Sequence, residues 1–186
     1  MVGFGPKQVW LAVRDGTADA VTGALGLRDL GPVSWRQGID LAYLTDDRMA
    51  LTPPLPGAGG GHWLLAVGRW LLRADVEPDT AALSARLGTE VQFFASHRVI
   101  ELHRWERALP GRLVRAFGYV GERGEVTHWV GGPDPAEREL GLPEAPDDVL
   151  VGERDVLRVA AAWSVDPSGL AGQPAPGPLR AAAPGW

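Results

Sequence analysis

Glu101, His103 and Arg115 are the residues of this sequence whose types and spacing best suit catalytic chemistry. A carboxylate and an imidazole can act as general acid and base when a partly apolar pocket moves their pKa values towards the working pH. A nearby guanidinium can hold an anionic group of a substrate. Without a cofactor, such a set would suit a cyclisation, an isomerisation or a hydrolysis.

Three or four consecutive antiparallel strands are predicted to carry these residues, in the stretch 90–131. Successive residues of a strand point to opposite faces, so one side of these strands is small at Ala116 and Gly118, which favours a closely packed helix. The other side collects aromatic and ionisable residues: Glu101, His103, Trp105, Arg115, Phe117, Tyr119 and Trp129. Whether these sides coincide between neighbouring strands depends on strand register, which the sequence does not give.

The same aromatic and charged face is also a candidate binding surface. Trp, Tyr and Arg dominate the energetics of protein interfaces, and the chain has eight Trp. The candidate binding residues are Trp105, Phe117, Tyr119, Trp129 and Glu122. We predict that four Trp are in the core (Trp10, Trp63, Trp70 and Trp163) and that four are candidates for exposure (Trp35, Trp105, Trp129 and Trp186). A third interpretation is a merely solvated or structural face, since antiparallel sheets often have one face in water.

The sequence motifs of several common catalytic and binding sites are absent. The four His have no zinc-motif spacing and no HExxH occurs, so we predict no metal site. No GxSxG motif marks a nucleophilic Ser. The Gly-rich loop 52–61 has no Gly-Lys-Ser/Thr ending and leads into a predicted strand rather than a helix, so it is not a phosphate loop. We therefore expect no cofactor.

The composition limits the class of protein and of partner. The chain has 186 residues, of which 45% are hydrophobic, which is typical of a globular domain. Its formal net charge of −5 does not favour a nucleic-acid partner. It has no Cys, no secretory signal and no apolar run long enough to span a membrane, so we predict no membrane association and a cytoplasmic location. The expected partner is a protein or a small-molecule ligand.

The pattern along the chain predicts an α+β fold, with a mainly antiparallel sheet and helices packed largely on one face. The predicted strands outside 90–131 are 8–14, 32–35, 40–44, 48–52 and 62–73; the predicted helices are 17–25, 79–87, 134–141 and 153–164. A single domain would cover 1–167, and the Pro/Gly/Ala-rich tail 168–186 would be extended or disordered. Recurring WLAV-like segments also suggest two strand–helix–strand–strand–strand repeats, at 8–52 and 62–131, joined by the loop 52–61.

Three segments of the C-terminal half carry a resemblance: SHRVIELHRWER (96–107), RAFGYVGE (115–122) and VAAAWSVDPS (159–168). In these segments the chain resembles a group of small, uncharacterised bacterial proteins of actinobacterial type that end in a WSVDP-type helix. The resemblance implies a bacterial origin and transfers no activity and no catalytic residue.

Two hypotheses about function follow. The first is a non-catalytic binding protein of immunity or accessory type that uses the aromatic and charged sheet face. The second is a cofactor-independent tailoring enzyme of bacterial specialised metabolism, in which Glu101 or His103 would be the acid or base and Arg115 would hold the substrate. Such an enzyme could also be one subunit of a two-protein complex.

Overall fold

The computed structural model describes residues 1–73, 75–76, 78–147 and 149–185. In this part of the chain five helices and ten strands are found, which confirms the α+β class. The helices are α1 (Ala18–Ala24), α2 (Trp35–Leu44), α3 (Thr80–Leu87), α4 (Pro135–Glu139) and α5 (Glu153–Trp163). The strands are β1 (Val9–Arg14), β2 (Leu27–Val33), β3 (Met49–Leu51), β4 (Leu55–Pro56), β5 (His62–Val67), β6 (Val91–His97), β7 (Leu102–Leu109), β8 (Arg112–Val120), β9 (Glu125–Val130) and β10 (Leu179–Pro184).

The described strands form one antiparallel sheet in the order β2-β10-β3-β5-β1-β6-β7-β8-β9, with β4 added beside β5. The predicted meander within 90–131 is confirmed as the four consecutive strands β6 to β9. Short turns join these strands, as expected for antiparallel neighbours. The functional candidates of the sequence therefore lie in one half of the sheet.

Helices cover both faces of the sheet rather than mainly one. Leu83 of α3 and Val21 of α1 pack on the face that carries Val9 and Leu11 of β1. Four residues of α5 pack on the opposite face, together with Trp10. The central strand β1 is apolar on both sides and fully buried from Val9 to Val13, so each of its faces needs a covering layer.

Most helix boundaries follow from capping residues that the sequence shows. Thr17 caps α1 by accepting a hydrogen bond from the Ala20 N–H at 3.3 Å. Asp79 caps α3 in the same way, and Gly88 ends that helix with a φ of 66°. These observations confirm the predicted helices at 17–25 and 79–87 to within a residue or two.

The prediction of a strand at 40–44 is wrong, because this segment is the second half of α2. Ser34 and Gln37 form a reciprocal capping box, in which each side chain bonds the backbone N–H of the other residue. The predicted strand 62–73 is also shorter than expected, since β5 ends at Val67 and a 3-10 turn follows at Arg69–Leu72. As a result the two proposed repeats differ in element order, and the repeat stays unconfirmed.

The C-terminal segment is ordered, contrary to the expectation of an extended or disordered tail. A 3-10 turn forms at Pro167–Leu170, and β10 inserts between β2 and β3 in the interior of the sheet. Leu179 is fully buried, and Ala181 to Ala183 are at most 4% exposed. Trp186 lies outside the described residues.

Both edges of the sheet carry irregularities. The edge strand β2 contains Pro32, and its register with β10 shifts between Ala181 and Ala182. The other edge strand, β9, is bulged opposite Gly118. Proline and bulges are devices that prevent a sheet edge from pairing with a further strand. No helix in the described part of the chain has the length and apolar character that crossing a membrane requires.

Candidate functional site

The aromatic and ionisable sides of the meander strands do coincide on one face. Directly opposite pairs across β7 and β8 are His103 with Tyr119 and Trp105 with Phe117, and Phe117 is in turn opposite Trp129 of β9. Opposite residues of an antiparallel pair share a face. The same register places Arg107 opposite Arg115.

This shared face is not open to a partner, however. Trp105 and Phe117 are 0% exposed and stack with ring centroids 4.1 Å apart. Both rings belong to the same buried cluster as Trp163 of α5, and Tyr119 and Trp129 pack against that cluster half-buried. Trp105 and Phe117 therefore stabilise the core and cannot touch a partner in this conformation. Among the other Trp, the four predicted core residues are buried, as is Trp35, which was a candidate for exposure.

Arg115 is bound inside the protein rather than at a surface. Its Nε lies 3.0 Å from both carboxylate oxygens of Glu137, and both side chains are almost fully buried. Its Nη1 donates to the carbonyl oxygens of Val130 and Gly131, and its guanidinium lies 4.6 Å from the Trp129 ring centroid. Glu137 also accepts a hydrogen bond from Trp105 Nε1 at 2.9 Å. This arrangement fixes α4 on the sheet and commits Nε and Nη1 of Arg115 to partners inside the protein.

His103 lies on the same face, 7% exposed, near the N-terminus of α5. Its Nδ1 is buried and has no hydrogen-bond partner among the described residues. Burial lowers the pKa of His103, and the carboxylates of Glu153, Glu101 and Asp155 oppose this shift. The imidazole is therefore neutral at pH 7.

Sequence reasoning missed that Ser96 and Glu153 come together near His103. Ser96 is the cross-strand partner of His103, and its hydroxyl donates to Glu153 Oε2 at 3.1 Å. A second donor to this oxygen is the backbone N–H of Lys7, at 2.9 Å. Ser96 is 1% exposed and its proton points to the carboxylate instead of the imidazole, so the three groups are not arranged as nucleophile, base and acid. The 57 residues between Ser96 and Glu153 hide this contact from sequence inspection.

Glu101 and Glu122 lie at the end of the meander rather than on its shared face. Glu101 closes the exposed β6–β7 turn with a φ of 48°, an unusual value for a residue with a side chain. Its carbonyl oxygen accepts a hydrogen bond from the Gly121 N–H at 3.1 Å, and its side chain lies where a Cβ at position 121 would be. Glu122 follows in an exposed 3-10 turn. Glu101 therefore shapes the turn and is separated from the buried Arg115.

The β6–β7 turn displays apolar side chains to solvent. Val99 is 81% exposed and Ile100 is 39% exposed, and the neighbouring Arg98 is exposed as well. Exposed β-branched residues in a turn gain nothing from folding, and the positive φ of Glu101 adds strain. The brace between Glu101 and Gly121 nevertheless holds the turn in this conformation. Strain that is held in place by its surroundings is a reason to look for function.

A cleft of ≈ 320 Å³ opens beside this turn. The cleft is lined by Asp46, Arg69, Leu72, Arg73, His97, Ile100 and Leu102. We call these residues, together with Arg98 and Val99 of the turn, the tip site. Arg69 pairs with Asp46 at 3.1 Å, and Arg73 pairs with Asp75 at 2.8 Å, which lowers the pKa of the Asp75 carboxyl. The cleft thus combines an apolar floor with guanidinium groups at its rim.

A second charged cluster lies on the opposite face, under the start of α3. Glu106 is 4% exposed and accepts hydrogen bonds from Thr80 Oγ1 at 2.5 Å and from Arg104 Nε at 2.8 Å. Each carboxylate oxygen of Glu106 is thus occupied, and the cluster ties α3 to β7. The Arg104–Glu106 pair is therefore more buried than a simple surface charge pair.

Neither a side-chain cluster among the described residues nor a similarity to known proteins identifies a ligand for this site. Within the described ranges no three or more His, Asp or Glu side chains are grouped so that they could hold a metal ion. Comparison of the chain with models of known protein families, with curated proteins and with solved structures finds no match.

Proposed function

We propose that this chain is a non-catalytic binding protein of immunity or accessory type that holds a protein partner at the tip site. The observation that carries the proposal is the strained turn that presents Val99, 81% exposed, beside Ile100. Contiguous exposed apolar groups with a polar rim are typical of interaction sites. The contact surface proposed here is thus the end of the meander instead of its covered face.

Preorganisation supports this proposal. A turn already fixed in its binding conformation loses little conformational entropy when a partner docks. The Glu101 carbonyl and the Gly121 N–H continue the β7–β8 ladder into the turn, which limits its motion. The partner surface that complements the site is an apolar side chain, since Leu72, Ile100 and Leu102 line the cleft while Arg69 and Arg73 are already paired with Asp46 and Asp75.

The rival interpretation as a tailoring enzyme has less support. It needs Glu101, His103 and Arg115 around one substrate, but Arg115 is 2% exposed and already bonded to Glu137. Glu101 lies in the exposed turn. These positions leave the enzyme hypothesis without the cationic group that it assigned to substrate binding.

The proposal can be tested by site-specific photo-cross-linking in the organism that encodes the chain. A photoreactive phenylalanine analogue replaces Val99, and in a matched control it replaces Arg112, which is exposed at the other end of the same hairpin. The two positions are separated by the length of β7, roughly 24 Å at the usual rise per strand residue. We expect a discrete adduct with one protein from position 99 and none from position 112. The absence of any adduct from position 99, or identical adducts from both positions, would reject the tip site.

A further inference from the structure

The side of helix α2 that faces away from the core carries a short stripe of two apolar side chains, Leu41 and Leu44. Its buried side is formed by Trp35, Gly38, Ile39 and Ala42. Gln37, Leu41 and Leu44 follow at intervals of four and three residues, which places them on one line along the opposite side of the helix, and Val33 at the end of β2 precedes this line. They border a shallow hollow of ≈ 470 Å³, together with Asp40 and Thr45.

The exposure of this stripe is high for apolar side chains. Leu44 is 71% exposed, and its chain neighbour Tyr43 is 41% exposed. A surface helix of a monomer is normally apolar on the core side alone. The exposed Leu44 on the outer side of α2 therefore indicates a second packing partner.

The charges on α2 indicate which partner. Arg36 and Asp40 are both exposed, one helical turn apart, and neither has an ion-pair partner in the described part of the chain. Two copies of α2 packed antiparallel would place Arg36 of one copy beside Asp40 of the other, twice, by symmetry. The same arrangement would set the protruding Leu44 of each copy against Val33 and Gln37 at the start of the other helix. The same surface therefore presents both the protruding Leu44 and the hollow that would receive it from the second copy.

We propose that the chain forms a two-fold symmetric homodimer in which α2 packs antiparallel against α2 of a second copy. Pairing through the sheet edge is disfavoured, since Pro32 and the register shift disrupt β2. The dimer uses none of the tip-site residues, so a test of the dimer is independent of a test of the proposed function. A ten-residue helix is roughly 15 Å long, and such a contact belongs to the small, reversible class of interfaces.

Sedimentation equilibrium of the full chain from ~1 to ~500 μM, a range that covers tight to weak association, tests this proposal. We expect the mass to rise with concentration from 19.8 kDa towards twice that value. Leu44→Asp should weaken dimerisation at least about tenfold, because it places an unpaired charge in the contact. Leu150→Asp is the matched control, since Leu150 is 91% exposed and does not border the hollow on α2. We expect this control to leave dimerisation unchanged.

A charge exchange tests the antiparallel arrangement. Asp40→Arg and Arg36→Asp should each weaken the dimer, because each sets like charges against one another across the dyad. The double exchange should restore association, and circular dichroism verifies that each variant folds. A mass that stays at one chain throughout would overturn the proposal. A dimer that Leu44→Asp leaves intact would also overturn the proposal. Single charge exchanges that leave dimerisation unchanged would overturn it as well.

Discussion

The buried ion pair between Arg115 and Glu137 gives the most quantitative prediction. Glu137→Gln keeps the volume of the side chain but removes its charge, and leaves a guanidinium that is 2% exposed without its counter-ion. Removing one partner of a buried ion pair costs about 3–5 kcal/mol. Gln keeps one acceptor oxygen for Arg115 or Trp105, so we expect about 3 kcal/mol, the lower end of that range. For a chain of this length that loss corresponds to a fall in Tm of roughly 6–12 °C.

Urea unfolding followed by Trp fluorescence, with calorimetry for Tm, measures this effect. Glu139→Gln is the matched control, since Glu139 is exposed on the same helix α4 and the chemical change is identical; its effect should stay within about 0.5 kcal/mol. Replacing both Arg115 and Glu137 by Met should cost less than the sum of the two single replacements, because no unpaired charge then remains buried. A loss below about 0.5 kcal/mol for Glu137→Gln, or additive single effects, would refute the reasoning.

Three further predictions concern a titrating group and two close backbone approaches. Because burial lowers the pKa of His103 in the folded state, the unfolded chain binds more protons below about pH 6.5, so the unfolding free energy should fall as the pH drops below that value. His103→Gln should flatten this slope in a urea titration between pH 5 and pH 7. Gly121→Ala should displace the β6–β7 turn and lower the unfolding free energy by about 1–3 kcal/mol, while Gly132→Ala, where a Cβ meets open space, should be near neutral. Gly38→Ala should cost a similar about 1–3 kcal/mol in urea unfolding, because its Cβ would lie 2.6 Å from a leucine methyl of β10.

The half of the fold made by local contacts could be predicted from the sequence. The meander β6–β9 has a clear two-residue alternation, so its strands and the shared side of Trp105, Phe117 and Trp129 follow from periodicity once the register is known. The helices that begin at Thr17 and Asp79 follow from their capping residues. Such signals lie within a few residues of the structure that they determine.

One error had a local signal, whereas the others arose where distant segments decide the structure. The segment 40–44 has a strand-like composition, and the capping box at Ser34 and Gln37 was the local signal that would have corrected it. The strand β10 has the composition of a disordered tail, and its order comes from the gap between β2 and β3 that it fills. The cover of α4 and α5 over the aromatic face was likewise hidden, because Glu137 and Glu153 are far from their partners in sequence.

The site residues show the same contrast between what local sequence determines and what distant segments determine. Alternation put His103 and Trp105 on one side of β7 and Arg115 on one side of β8, and the register of the structure joins these sides. Alternation cannot distinguish an open face from one that a helix covers. The tip site gave no local signal, because Val99 and Ile100 have the composition of a strand and only the structure places them in the β6–β7 turn.

The most direct test of the central claim, that the tip site holds the partner, is the affinity of the partner captured from position 99 for purified variants. Calorimetric titration would compare the wild-type chain with Val99→Asp and with Val130→Asp, the same substitution at a residue 42% exposed on β9. We predict at least about a tenfold loss of affinity for Val99→Asp and an unchanged affinity for Val130→Asp, as expected for a charge placed in the centre of an interface. Equal affinity of Val99→Asp and the wild type would contradict the claim and return the search to the other surfaces of the molecule.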